Sequence, residues 1–120
     1  MRKLIATFLL SLLSAPVLAT DDLSCNGEMY TVYMGVGSDN TVGFAAIINE
    51  KSKARTEFYF KDIETKKLEW KDSEGDFSKN RLNVVLRDKA GLSFVVEANG
   101  RQGVLRQQSK TYKLDCNWER

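Results

Sequence analysis

The residues that could do chemistry in this 120-residue chain are few. It has no histidine and only two cysteines. Without histidine there is no Ser-His-Asp or Cys-His catalysis, no His-ligated zinc and no usual general base near neutral pH. The sequence also has no Gly-rich phosphate loop and no Ser-x-x-Lys dyad. A carboxylate pair acting on a glycoside stays open, because such pairs are set by spatial distance. We expect a protein that is not an enzyme and uses no cofactor.

The longest polar connection, Asp72-Ser73-Glu74-Gly75-Asp76-Phe77, carries four acidic or hydroxyl side chains around a glycine. Such a loop raises the question of calcium. Its spacing does not match D-x-D-x-D-G followed by a distal glutamate, so we interpret it as a solvated acidic turn and expect no metal. A recognition loop is the alternative, since loops on rigid β scaffolds often carry function.

The first nineteen residues have the order typical of a secretory signal peptide. A basic start (Met1-Arg2-Lys3) precedes an apolar run from Leu4 to Leu13, and Val17-Leu18-Ala19 provides small residues for cleavage between Ala19 and Thr20. The run is about half the length of a membrane span. We predict a signal peptide over 1–19, a single β domain over 20–120 in the periplasm or secreted, and no membrane span after cleavage.

In an exported chain, Cys25 and Cys116 are predicted to form a disulfide that joins the first and last strands. The bridge would close nearly the whole domain, which the chain-entropy model values at about 4–5 kcal/mol. A lipid anchor on Cys25 is excluded, because lipoprotein signals place leucine three residues earlier and this chain has Asp22 there.

Charge argues against nucleic acid as a partner. The chain has 18 basic and 16 acidic residues, and removal of Arg2 and Lys3 leaves 16 of each. Phosphate binding depends on excess lysine and arginine. The charge is uneven, with 12 acidic and 8 basic residues over 20–80 and the reverse bias afterwards. We interpret the bias as a solvated, dipolar surface, with a positive face for an acidic partner as the alternative.

Short runs of β-branched and aromatic residues, spaced about ten residues apart, predict an all-β fold. We predict an antiparallel meander of about eight strands forming a small closed or nearly closed barrel, with a two-sheet sandwich as the alternative. The predicted strands are 28–36, 41–48, 55–62, 67–72, 81–88, 92–98, 101–106 and 111–118.

Alternation assigns most apolar side chains to the interior, although the first two strands are apolar on both faces and their orientation stays open. Three turns extend the prediction to register. The Lys89-Ala90-Gly91 loop pairs Leu86 with Phe94, a type I′ turn at Asn99-Gly100 pairs Phe94 with Leu105, and the 107–110 loop pairs Leu105 with Tyr112. The predicted inward residues are Phe58, Phe60, Leu68, Trp70, Leu82, Val84, Leu86, Leu92, Phe94, Val96, Leu105, Tyr112, Leu114 and Cys116.

The same register predicts candidate partner-binding residues on the outer face. Val85, Val95 and Val104 would form an apolar strip bordered by Arg87 and Arg106, which is a plausible surface for a partner. Tyr59 is the second candidate, since it should point outward. Tyr33 is a further exposed-tyrosine candidate whose direction its strand leaves open. The alternative is that these residues are good β-formers on a half-exposed sheet.

Together these features predict an exported protein that binds another protein, plausibly an inhibitor or immunity factor that occludes an enzyme or toxin. A carrier or sensor of a small apolar ligand and an envelope structural component are the alternatives. In architecture the chain resembles the small exported β-barrel inhibitors of C-type lysozyme from Gram-negative bacteria. Their Ser-Gly-x-x-Tyr segment is not matched by Ser73-Glu74-Gly75-Asp76-Phe77, so the resemblance implies no site residue here.

Overall fold

Nine antiparallel strands make up the domain in the computed structural model, which describes residues 21–37, 39–71 and 77–119. A three-residue 3₁₀ turn, Phe60–Asp62, separates the fourth strand from the fifth. The strands are β1 (Asp21–Asn26), β2 (Tyr30–Val36), β3 (Val42–Asn49), β4 (Arg55–Tyr59), β5 (Ile63–Glu69), β6 (Arg81–Arg87), β7 (Ser93–Asn99), β8 (Gln102–Gln107) and β9 (Lys110–Glu119).

The strands form one sheet in the order β4-β3-β2-β1-β9-β8-β7-β6-β5. The first and last strands are therefore neighbours, and Cys25 lies directly opposite Cys116 with a disulfide between them. This arrangement confirms the predicted antiparallel meander, the nearly closed barrel and the disulfide.

The seam of the barrel lies between the edge strands β4 and β5, and beyond the end of β4 side chains link β3 directly to β5. The Val42 N–H donates to Thr65 Oγ1 at 3.1 Å, and Asn40 Nδ2 donates to the Leu68 carbonyl at 3.2 Å. The chain itself crosses the seam through the 3₁₀ turn. Because these bonds involve side chains, the barrel is nearly rather than fully closed by a backbone ladder.

The first strand, β1, was not predicted. Its sequence, Asp-Asp-Leu-Ser-Cys-Asn, is rich in residues that disfavour strands. It forms because β2 and β9 pair with it on both sides and the disulfide holds it in register. A tight connection at Gly27 follows, where a Cβ would lie 2.5 Å from the Lys113 carbonyl oxygen.

The fifth strand begins earlier than predicted, at Ile63 rather than at residue 67. The polar Glu64-Thr65-Lys66 segment resembles a turn in sequence, yet it runs along β6 with an irregularity in pairing between Thr65 and Lys67. A bulge of this kind breaks the alternation on which the prediction depended.

Large side chains meet across the barrel interior at two levels. The rings of Phe58 on β4 and Phe94 on β7 are 6.0 Å apart, and those of Trp70 and Trp118 are 5.1 Å apart, both edge to face. The Trp118 Nε1–H donates to the Gly100 carbonyl at 2.8 Å, which satisfies its buried polar atom.

Most predicted inward residues are buried or pack against the core, but Phe60 and Leu92 were wrongly assigned. Phe60 is 64% exposed and Leu92 is 38% exposed. Phe60 begins the 3₁₀ turn, and Leu92 belongs to the β6–β7 connection. Outside the strands the two-residue alternation no longer applies.

Two of the three predicted turns are confirmed by the register. Leu86 lies opposite Phe94 across the loop containing Gly91, which has a φ of +87°, and Leu105 lies opposite Tyr112.

The turn at Asn99-Gly100 was predicted incorrectly. Asn99 pairs with Gln102, and only Gly100 in this turn has a positive φ, whereas a type I′ turn needs two such residues. The two-residue loop is therefore Gly100-Arg101, and the Gly100 N–H donates to the buried Asn80 carbonyl at 2.9 Å. The register moves by two residues, which places Phe94 opposite Gln107.

Candidate binding face

The predicted strip of three valines is not continuous. Val85 does lie opposite Val95, but the two-residue shift places Arg106 opposite Val95 and moves Val104 opposite Glu97. The adjacency of Val95 and Val104 was therefore wrong.

Ion pairs also lie across this part of the outer face. Arg87 Nη2 is 3.1 Å from Glu64 Oε1, and Arg106 pairs with Glu97. Val85 is only 8% exposed although its strand position faces outward. A partner would therefore meet charged side chains around half-covered valines, and the proposed role of this strip in binding stays a prediction.

Exposed aromatic residues gather instead on β2, β3, β4 and the turn after β4. Tyr59 points outward as predicted and is 54% exposed; Tyr33 is 44% exposed. Two further side chains join them, the exposed Phe60 and the half-buried Phe44. We call these four residues the aromatic face.

Sequence reasoning missed Phe44 and Phe60 for different reasons. Phe44 lies on a strand that is apolar on both faces, so alternation could not orient it. Phe60 follows Phe58 at a two-residue spacing, which suggested the same inward direction until the 3₁₀ turn changed it. The available signal for this surface was Tyr59. Because its neighbour Phe58 is a core residue, alternation along the strand directs the Tyr59 side chain outward.

Strand pairing places Phe44 at the centre of the aromatic face. It lies opposite Gly35 on β2 and opposite Tyr59 on β4, and the Phe44 and Tyr59 ring centroids are 5.5 Å apart. Gly35 is buried although it has no side chain and shares the outward register of Phe44. An aromatic ring beside a strand glycine shields its backbone, which is a known cross-strand arrangement.

A hydrogen-bond chain along β4 fixes the position of Tyr59. Its hydroxyl donates to Glu57 Oε1 at 2.7 Å, and Arg55 Nε donates to Glu57 Oε2 at 2.7 Å. The bond from Tyr59 holds the pKa of the Glu57 carboxyl below its ordinary value, and the same bond raises the pKa of the Tyr59 phenol. A side chain held in this way loses little freedom when a partner binds.

Two grooves meet at Phe44. One, of about 520 Å³, is bounded by Asp22, Tyr33, Gly35, Asn117 and Glu119. The other, of about 360 Å³, is bounded by Gly35, Asp39, Gly43 and Phe60. In the second groove, a bond from the Thr41 hydroxyl holds the pKa of Asp39 below its ordinary value. The combined surface is apolar at its centre and acidic at the margins formed by Asp22, Glu119 and Asp39, whereas Tyr59 also borders a groove of mixed charge with Lys61 and Arg87.

The far side of the barrel has the opposite character. A groove of about 590 Å³ on β5 to β8 is bounded by Lys66, Lys67 and Arg81, with Glu97 and several amides. The two sides of the barrel therefore differ in charge, but this difference does not follow the charge bias along the chain, since Lys66 and Lys67 belong to its acidic part and Glu119 to its basic part.

Within the described ranges, no three His, Cys, Asp or Glu side chains are grouped so that they could hold a metal ion. The Asp72–Asp76 segment, for which calcium was considered, lies outside the described residues. Among the residues searched, no helix is long and apolar enough to cross a membrane.

The fold and face define a class in structural terms: a disulfide-linked, nine-stranded antiparallel barrel with an exposed aromatic surface. Comparison of the chain with protein-family models, curated proteins and solved structures finds no match.

Proposed function

We propose that this protein is an exported, non-enzymatic binding protein that attaches to another protein through its aromatic face. The observation that carries the proposal is the grouping of Tyr33, Phe44, Tyr59 and Phe60 on neighbouring elements, outside the core. Tyrosine and phenylalanine are enriched at the centres of protein interfaces, where they supply large contact areas. The partner would be occluded by a preformed surface, as expected of an inhibitor or immunity factor.

The position of the face on the barrel supports a rigid mode of binding. Its strands β2, β3 and β4 follow β1 in the sheet, and the disulfide links β1 to β9. The face therefore needs little ordering when it meets a partner, and pre-organisation of this kind favours affinity. The disulfide also fits the oxidising compartment to which the first nineteen residues are proposed to direct the chain.

The filled interior counts against the carrier of a small apolar ligand. Phe58 meets Phe94, and Trp70 meets Trp118, across the barrel. A barrel of about eight strands is just wide enough for its own side chains to fill it, so two aromatic pairs at different levels of this nine-stranded barrel leave little room for cargo.

The experiment captures partner proteins from periplasmic and culture fractions with the wild type and with two double variants. The oxidised protein is coupled to a resin through its lysines at about one attachment per molecule. No described lysine lines either groove at Phe44, and attachment at Lys61 or Lys89, which share a groove with Tyr59, then affects only part of the molecules. Wild type is compared with two double variants. Tyr33→Ser/Tyr59→Ser changes the aromatic face, and Val85→Lys/Val104→Lys changes the outer surface of β6 and β8. We expect one stoichiometric partner on the wild type and on the valine variant, and its loss from the tyrosine variant.

The captured partner is then purified and titrated with the protein. Loss of the partner's catalytic or toxic activity at one equivalent supports occlusion. A partner held equally by the tyrosine variant would contradict the role of the aromatic face. Saturable binding of an apolar dye with no protein partner would favour the carrier instead.

A further inference from the structure

Two carboxylates lie side by side at one end of the aromatic face. Asp22 on β1 is directly opposite Glu119 on β9, and both are exposed. Like charges in directly opposed cross-strand positions are unfavourable. Glu119 accepts a bond from Asn117 Nδ2 at 3.0 Å, but within the described ranges neither carboxylate forms an ion pair.

The grooves beside this pair combine negative charge with aromatic rings. Asp22 and Glu119 border the larger groove with Tyr33 and Phe44, and Asp39 borders the smaller one with Phe60. No lysine or arginine of the described chain lines either groove. Ring faces attract cations, and adjacent carboxylates strengthen that attraction.

The length of the aromatic face, measured with the carboxylate pair at its end, indicates whether a single ion or an extended cationic peptide would fit it. The outward positions Glu119, Asp22, Gly35, Phe44 and Tyr59 form one row across five strands. At about 4.8 Å between strands, the row is about 19 Å long, which matches five or six extended residues better than a single ion.

We propose that the aromatic face recognises an extended, basic segment of the protein partner, with an arginine or lysine side chain placed between the carboxylate pair and Phe44. This inference rests on the proposed function and names the chemistry of the partner. The rings provide apolar contact and cation attraction, while Asp22 and Glu119 lose their mutual repulsion when the cation binds.

A second copy of the chain would also offer positive charge, through the groove of Lys66, Lys67 and Arg81. That contact would join unlike faces. Head-to-tail contacts continue into open chains unless their rotation closes a ring. We therefore assign the face to a different protein, and self-association becomes an outcome of the test.

The test uses the full chain expressed with its own N-terminal segment, purified oxidised and without a tag, because β1 begins and β9 ends beside the groove. The probe is the peptide acetyl-Ser-Arg-Ser-Arg-Ser-amide. Its control replaces both arginines with citrulline, which keeps the shape and removes the charge. Binding is measured by NMR titration of backbone amides.

Two variants remove the same amount of negative charge from different places. Asp22→Asn/Glu119→Gln neutralises the pair at the groove, and Asp115→Asn/Glu64→Gln neutralises exposed carboxylates elsewhere. We expect peptide-induced shifts on β1, β2 and β3, about tenfold weaker binding by the first variant, and a change of less than about twofold in the second, where tenfold corresponds to about 1.4 kcal/mol.

Because Arg120 follows Glu119 in the sequence, Arg120→Gln is titrated as well. Removing a neighbouring cation should leave peptide binding equal or tighter. Weaker binding by this variant would contradict the proposal.

Several results would overturn the inference. Equal binding of the citrulline peptide, or equal losses in the two carboxylate variants, would show that no specific cation site exists. Saturation of the same amides by chitotetraose but not by the arginine peptide would assign the face to a glycan. Sedimentation showing self-association that is lost on Lys66→Gln/Lys67→Gln would assign it to a second copy.

The inference and the proposed function can fail separately. If a captured partner depends on Tyr33 and Tyr59 but binds Asp22→Asn/Glu119→Gln normally, only the cation inference fails. If the tyrosine variant binds the partner normally, the proposed function fails as well.

Discussion

At the scale of single residues, two strand glycines have opposite surroundings. A Cβ at Gly103 would lie 2.6 Å from Cys116 Sγ and 3.2 Å from the Glu97 carbonyl oxygen. A Cβ at Gly43 would have no atom within 4 Å. Gly103 is therefore required by the disulfide packed against it, whereas Gly43 is not required by packing.

The same substitution at these two positions should have opposite effects. Gly103→Ala should destabilise the oxidised protein by about 1–3 kcal/mol, because the added methyl overpacks the core. Gly43→Ala should stabilise it by about 0.5–1 kcal/mol, because alanine loses less backbone freedom on folding. Equilibrium denaturation of the two variants checks both signs, and equal changes would refute the packing argument.

The bond between Tyr59 and Glu57 predicts a measurable titration. The Tyr59 phenol should ionise above the ordinary tyrosine pKa, and Glu57→Gln should lower that pKa towards the ordinary value. Tyrosinate absorbance followed against pH measures the shift, with Tyr59→Phe identifying the contribution of this ring. An unchanged Tyr59 titration in Glu57→Gln would contradict the hydrogen bond.

The sign of the stability effect follows from the lowered pKa of Glu57. Because the folded value lies below the ordinary value of 4.5, the contribution is present above about pH 4.5 and is lost as the pH falls through the folded pKa. The carboxyl is exposed, so solvent keeps this contribution small.

At the scale of elements, the link between β3 and β5 at the seam depends on the Thr65 hydroxyl. Thr65→Val keeps the shape of the side chain and removes the acceptor of the Val42 N–H. We expect a loss of about 1 kcal/mol and faster hydrogen exchange at the Val42 amide. Thr56→Val on β4 is the matched control, because Thr56 is exposed and should leave both quantities unchanged. Equal exchange at Val42 in both variants would exclude this role of Thr65.

Elements differed in how well sequence predicted them, and the reason is physical. From β6 to β9, one polar and one apolar face made alternation informative, and Gly91 marked its turn. On β2 and β3 the outer face is itself apolar or small, because it bears Tyr33, Phe44 and Ala46. Alternation therefore could not tell the outer face of these two strands from the inner one. The 3₁₀ turn at Phe60 contains no glycine or proline, so the sequence carries no turn signal there.

Non-local pairing accounts for the other errors. β1 depends on strands at both ends of the chain, which its own composition does not indicate. The turn after β7 is selected by contacts of Gly100 with Asn80 and Trp118, both distant in sequence. The valine strip failed for this reason, since its register depended on that one turn.

At the scale of the whole molecule, the disulfide determines how far tension can extend the chain: a short distance while the bridge is intact and a long distance after it is reduced. The ends of β1 and β9 lie together, and the two cysteines enclose a span with a sequence separation of 91. Tension applied to the two ends can extend only the residues outside Cys25 and Cys116. At about 3.3–3.6 Å per residue, the described strand residues outside the bridge yield about 25 Å, and the enclosed span yields about 300 Å.

Single-molecule stretching should therefore show only the short extension for the oxidised chain and the long one after thiol reductant is added. A long extension without reductant would mean that the bridge had not formed. In an oxidising compartment the aromatic face lies wholly inside the shielded span, so a load on either end would leave its strands folded. Asp22 and Glu119 lie outside the bridge, so the same load would pull the carboxylate pair away from the groove while the aromatic rings keep their positions.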